Sequence, residues 1–119
     1  MDAAICQIGL PVRDLNRAVG FYRDKLGSTC VFETPNAAFF ACGDVRLMLG
    51  PPRHSASVDS IVYFKVDDIG RAVEELKSRG VSFDREPHLV AHLPDHDLWM
   101  AFFRDSEENS LALMCEKRR

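Results

Sequence analysis

With 119 residues, 46% of them hydrophobic, the chain has material for one ordinary core and is too short for two independent ones. Its 15 basic and 18 acidic residues are interspersed and leave a formal charge of -3, so there is no basic field for a phosphate backbone, and nucleic acid is not an expected partner. Apolar runs such as Leu98 to Phe103 fall far below a bilayer span, and the opening Met-Asp-Ala-Ala lacks the basic and apolar regions of a signal peptide. A soluble cytoplasmic chain with no membrane partner is expected.

The first predicted element is a strand over about Ile5 to Val12. Its alternation sets Cys6, Ile8, Leu10 and Val12 on one face and Ile5, Gln7 and Gly9 on the other. Asp14 is an N-cap candidate, behind which Leu15, Ala18, Val19, Tyr22 and Leu26 recur at helical spacing until Gly27 supplies a left-handed stop. Three short strands follow, Thr29 to Glu33, Ala37 to Cys42 and Val45 to Leu49, with Gly43-Asp44 joining the last two as a hairpin. Residues 51–59, opening on Pro51-Pro52, read as a linker. The order then starts again: a strand over Ile61 to Val66, a cap at Asp68, a helix burying Ile69, Ala72, Val73 and Leu76, and a stop at Gly80. Strand-like stretches follow around Val81 to Asp84, His88 to His92, Leu98 to Arg104 and Ser110 to Cys115.

The recurrence is literal as well as structural. Val12-Arg13-Asp14-Leu15-Asn16-Arg17-Ala18-Val19 returns as Val66-Asp67-Asp68-Ile69-Gly70-Arg71-Ala72-Val73, identical at five of eight positions with a constant offset of 54. A repeat on this scale is a duplicated supersecondary unit, strand, helix and three strands. The rows Cys6-Ile8-Leu10-Val12 and Val62-Phe64-Val66 should then face the helices, leaving Gln7, Ile61, Tyr63 and Lys65 on the opposite faces. Cys6, Cys30, Cys42 and Cys115 are scattered through strand-like runs with no Cys-x-x-Cys pair, which favours reduced, mostly buried thiols.

The segment Leu10-Pro11-Val12-Arg13-Asp14-Leu15, Phe21-Tyr22 with Leu26-Gly27, and the late run Phe103-Arg104-Asp105-Ser106-Glu107-Glu108-Asn109-Ser110-Leu111-Ala112-Leu113 stand in an order that resembles the vicinal oxygen chelate superfamily. That superfamily includes glyoxalase I, methylmalonyl-CoA epimerase, extradiol dioxygenases and the fosfomycin and bleomycin resistance proteins. The resemblance implies an α+β fold, a single glyoxalase-like domain over residues 1–119. Two tandem βαβββ units would form a half-open, cleft-like barrel with helices outside: unit one about 1–50, the linker about 51–59 and unit two about 60–119. It also implies a homodimer. As a guide to function it is broader, because this scaffold hosts isomerases, oxygenases, transferases and drug sequesterers.

Metal-dependent members hold a divalent ion through four side chains, His, Gln or Glu, on the first and last strands of each unit. The matching positions here are Gln7, Met48, Ile61 and Ala112, and three of the four carry no suitable donor. No metal and no other cofactor are therefore expected. The late turn departs too: related chains read Asp-Pro-Asp-Gly-Asn, whereas Ser106, Glu107 and Glu108 stand here between Asp105 and Asn109, implying strain or a changed turn type.

Gln7 is the one polar side chain at a metal-ligand position, read either as a hydrogen-bonding group for a ligand or as a satisfied strand residue. Arg46, Tyr63 and Lys65 fall by parity on the same faces as Met48 and Ile61, where a cation could pair with an anionic ligand or reach solvent. Trp99, Met100, Phe102 and Phe103 form an aromatic block of which half is core and half, including Trp99, is expected to line the cavity. His88, His92 and His96 are spaced by four in a strand and loop context that does not converge them on a metal, although one of them, with His92 the choice, could reach the cavity as a proton donor or acceptor. Glu33 and Glu86 lie near strand ends with no paired partner in the sequence.

The expected ligand-lining set is thus Gln7, Arg46, Met48, Ile61, Tyr63, His92, Trp99 and Ala112. The leading expectation is a metal-independent protein of the glyoxalase/bleomycin-resistance type that binds a small organic molecule, hydrophobic or aromatic in character. The alternative is a lyase, isomerase, epimerase or dioxygenase with non-standard metal ligands or metal-free acid-base catalysis.

Overall fold

The computed structural model describes residue 2, residues 5–52 and residues 60–118. The chain divides into two compact units, Met1–Val58 and Asp59–Arg119. Unit one runs β1 (Gln7–Pro11), α1 (Leu15–Gly20), a π-helical turn (Phe21–Lys25), β2 (Thr29–Glu33), β3 (Ala38–Cys42) and β4 (Val45–Gly50). Unit two runs β5 (Ile61–Lys65), α2 (Ile69–Ser78), β6 (Phe83–His92), β7 (His96–Arg104) and β8 (Ser110–Arg118). The fold is α+β, two tandem βαβββ units, as the repeat requires. Each unit has its own four-stranded sheet, ordered β1-β4-β3-β2 and β5-β8-β7-β6, in which the first strand pairs parallel with the last and the other neighbours run antiparallel.

The repeated motif builds the same helix entry twice. The Asp14 carboxylate accepts the Arg17 amide at 3.0 Å and the Asp68 carboxylate accepts the Arg71 amide at 3.1 Å, each aspartate holding an extended backbone just ahead of its helix. The exits differ. After α2 the amides of Gly80 and Val81 donate to the carbonyls of Lys77 and Leu76, a Schellman ending that needs the left-handed Gly80 at φ 90°. After α1 the turn widens: Leu26 N–H reaches Phe21 O and Ser28 N–H reaches Tyr22 O, before Gly27 turns the chain at φ 74°. This wider turn buries both Phe21 and Tyr22, whose rings meet edge to face at 5.5 Å.

Each helix covers one face of its own sheet. In unit one Leu10, Phe40, Leu47 and Leu49 are buried together with Ala18, Val19 and Tyr22, and in unit two Ala101, Phe103, Leu111 and Leu113 with Ile69, Val73 and Leu76. The sequence divided residues 81–92 into two stretches, but β6 is one ten-residue strand that absorbs Pro87 within a register shift between Arg85 and His88. An edge strand at a bulge loses little by lacking one N–H, which is why proline does not break it. The thiols also differ from expectation: Cys115 is buried, Cys30 and Cys42 are half-buried, Cys6 is exposed, and all four are free. Burial pushes the Cys42 thiol up from its ordinary range. The linker expected at 51–59 lies, beyond Pro51 and Pro52, outside the described residues, as does His54.

The late turn closes without a glycine. Glu108 adopts φ 69°, and the turn is held by the buried Asp105 carboxylate, which accepts the amides of Glu107 and Asn109 and the Asn109 side-chain amide, each at 2.8 Å. Asp105→Ala should therefore cost about 2–3 kcal/mol by orphaning these donors. Glu108→Gly should raise stability by about 0.5–1 kcal/mol as left-handed strain is relieved. Denaturant unfolding of the two variants against the parent checks both signs.

Candidate functional site

Pairing register decides which side chains escape the helix side of each sheet. In sheet one Gln7 pairs with Arg46 and Gly9 with Met48 across β1 and β4, and Met48 pairs with Phe39 across β4 and β3. Directly paired residues share a face, so Gln7, Arg46, Met48 and Phe39 stand together, opposite the buried Leu10, Leu47 and Leu49. The Gln7 amide donates toward Met48 Sδ at 3.8 Å, and the Met48 methyl lies over Gly9, 3.5 Å from where a Cβ would sit. A register shift between Cys30 and Phe32 brings Phe32 to the same face, where its ring stacks on Phe39 at 4.3 Å. Phe32 escaped the sequence reading because the shift is a property of the strand pair; its local alternation gave no signal.

In sheet two the equivalent rank is Tyr63, Ala112, Phe102 and Arg85 across β5, β8, β7 and β6. The next rank is Lys65, Met114, Met100 and His88. Ile61 pairs with Ser110 one rank the other way. The face away from α2 therefore carries an aromatic group in which Tyr63 meets Phe102 edge-on at 6.4 Å and His88 lies against the same Phe102 ring at 5.9 Å. Tyr63 remains 46% exposed and Ile61 40%, whereas Ala112 has no exposed surface between its two aromatic partners. A guest on this face would touch the rings and not the alanine methyl.

Two expected lining residues belong elsewhere. Trp99 pairs with the buried Cys115, which puts it on the helix side of sheet two, where Lys117 Nζ sits 4.9 Å from its ring and its indole N–H has no hydrogen-bond partner among the described residues. Met100 and Phe102 are the members of that aromatic block on the uncovered face. His92 also changes sides. The register shift between Leu89 and Ala91 inserts one extra residue, so His88 pairs with Met100 on the uncovered face while His92 pairs with Asp97 on the other, its Nδ1 2.6 Å from the Asp97 carboxylate. His96 Nδ1 is engaged at 2.7 Å by Asp95, whose carboxyl that contact holds below its ordinary range, and His88 Nδ1 lies 2.8 Å from the Glu86 carbonyl. The three histidines thus have three separate partners.

The donor set does not fit the divalent ion that the resemblance brings to mind. Unit one offers the Gln7 amide and a Met48 thioether already engaged by it; unit two offers the hydrocarbon side chains of Ile61 and Ala112 at the matching positions. Among the described residues no three His, Cys, Asp or Glu side chains are grouped to hold a metal. No helix among them is long and apolar enough to cross a membrane. The two faces should differ sharply in what they contribute to folding. Phe40→Ala, on the buried side of sheet one, should cost about 3–5 kcal/mol, whereas Tyr63→Ala should cost less than about 1 kcal/mol, as urea unfolding will show.

Comparison with known proteins agrees with this architecture. A bleomycin resistance protein from Geobacillus stearothermophilus is 45% identical over 40 residues, which are 34% of this chain and 30% of that one. The crystal structure of lactoylglutathione lyase from Agrobacterium tumefaciens superimposes with a TM-score of 0.77 at 25% identity, covering 94% of this chain and 92% of that one. TnmS3, an antibiotic binding protein from Streptomyces sp. CB03234, superimposes with a TM-score of 0.78 at 21% identity over 97% of each chain. Residues 4–113 match the model of the Glyoxalase/Bleomycin resistance protein/Dioxygenase superfamily, and the chain belongs to that family.

Proposed function

We propose that this protein is a metal-independent binder of a small organic molecule, similar in role to the bleomycin-resistance and antibiotic-binding members of its family. The observation that carries this reading is the pair of sheet faces left uncovered by their own helices. Each has an aromatic and thioether floor, Phe32, Phe39 and Met48 in one unit and Tyr63, Phe102, Met100 and Met114 in the other, with a few polar groups at the margin. Apolar floors with sparse polar groups are what a small-molecule site needs. On this proposal Gln7, Arg46 and Met48 contact ligand in unit one and Ile61 and Tyr63 in unit two. Four free thiols support a reducing, cytoplasmic setting. The exposed Leu89 and Val90 on β6, the edge strand of sheet two, support the homodimer expected by resemblance, since a bare apolar edge invites pairing.

The enzyme reading, a lyase, isomerase or dioxygenase, draws on the similarity to lactoylglutathione lyase. Within this chain its support is His88, a proton-carrying side chain on the uncovered face of sheet two. Thermal unfolding separates the two readings when run with bleomycin and a panel of planar antibiotics on protein purified without chelator. A binder should gain about 2.7 kcal/mol at a ligand concentration a hundredfold above Kd, saturably, and lose most of that gain in Gln7→Ala or Tyr63→Ala. Near-stoichiometric nickel, zinc, manganese or iron in the purified protein would overturn metal independence.

A further inference from the structure

The chain is acidic as a whole, yet two cations at the edges of the uncovered face of sheet two have no ion-pair partner among the described residues. Most other cations of unit two that the structure describes are engaged. Lys77 pairs with Glu86 at 2.6 Å, Arg79 with Glu75 at 2.7 Å, and Arg104 with both Asp84 at 3.1 Å and Glu108 at 2.9 Å. Lys117 covers Trp99 on the opposite face. Lys65 and Arg85 have no ion-pair partner among the described residues, and both are exposed. Register puts them on either side of the aromatic group: Arg85 beside Phe102 on β6, and Lys65 one rank along from Tyr63 on β5. Of the strand carboxylates on this side, Asp84 on β6 is engaged by Arg104, and Glu116 lies beyond Met114 on β8, with Arg118 two residues further along the same strand. An aromatic group between two cations that lack an ion-pair partner among the described residues selects for a guest with a π face and a negative charge at its rim.

We infer that the Tyr63–Phe102–His88 face, bounded by Lys65 and Arg85, binds planar aromatic anions: carboxylates, sulfonates or phenolates on a fused or single ring. This rests on the small-molecule-binding reading and narrows it. Cationic ligands of the same shape are disfavoured here, because they meet two like charges and no carboxylate among the ring contacts. The guanidinium of Arg85 can take a carboxylate or sulfonate through two parallel N–H donors, while the Lys65 ammonium serves as a point charge at the far side.

The test uses three probes of one shape and different charge: 2-naphthoate, 2-naphthamide and 2-naphthylmethylammonium, titrated into the full chain and followed by protein-observed NMR. Naphthoate should bind at least about fivefold more tightly than naphthamide in low salt, perturb Tyr63 and Phe102, and lose much of that advantage in 0.5 M salt. The ammonium probe should bind most weakly. The Lys65→Met/Arg85→Met double variant, which keeps the aliphatic stems, should bind naphthoate and naphthamide equally, whereas Lys117→Met should leave the preference intact. Equal binding of all three probes, or a preference for the cation, overturns the anion inference and leaves small-molecule binding standing. Failure of all three probes, in a protein that the antibiotic panel still stabilises, overturns the inference alone; failure of the panel as well overturns both.

Discussion

Everything in this molecule depends on the alternation of side chains along paired strands. A helix covers one side of each sheet, so a residue's destiny, core or uncovered face, is settled by its parity and by the partner it faces across the ladder. Leu10, Leu47 and Leu49 are core for the same reason that Gln7, Arg46 and Met48 are not. Because every paired residue shares its neighbour's face, one register fixes a whole rank of side chains. No single contact positions Tyr63, Phe102 and His88 together; the ladder does.

Much of the scaffold was legible before any coordinates. The repeated motif carried both capping aspartates, and Gly27 and Gly80 marked both helix ends, because caps and left-handed stops are local chemistry written within a few residues. The side of the sheet taken by Gln7, Arg46, Met48, Ile61, Tyr63 and Ala112 was legible too, since strict alternation holds along β1, β4, β5 and β8. Where alternation broke, the reading broke with it. His92 and Phe32 were displaced by extra residues in β6 and β2, and such shifts are decided by how a strand meets its partner, which no run of ten letters contains. Trp99 failed for a different reason: an unbroken apolar block, Leu98 to Phe103, has no polar positions to reveal which half is inward.

The two units show how one plan tolerates different contents. Their caps, strand orders and helix-side cores correspond, but the faces away from the helices carry different side chains. Strands and ladders stand where the family pattern places them, while the side chains supply an amide, a thioether and hydrocarbon. On the proposed binding role, a guest on such a floor would be held by dispersion and the burial of apolar area, with charge at the margin deciding between guests of similar shape.

That divergence follows a rule of volume. Gly9 faces Met48 in the first unit and Tyr63 faces Ala112 in the second, so bulk has traded places between the two members of the same strand pair. Reciprocal resizing of this kind keeps the spacing of the backbone constant, because one large and one small group fill the same room in either order. The halves thereby carry unlike reliefs, a ridge rooted on the closing strand in one and on the opening strand in the other, upon one and the same strand order.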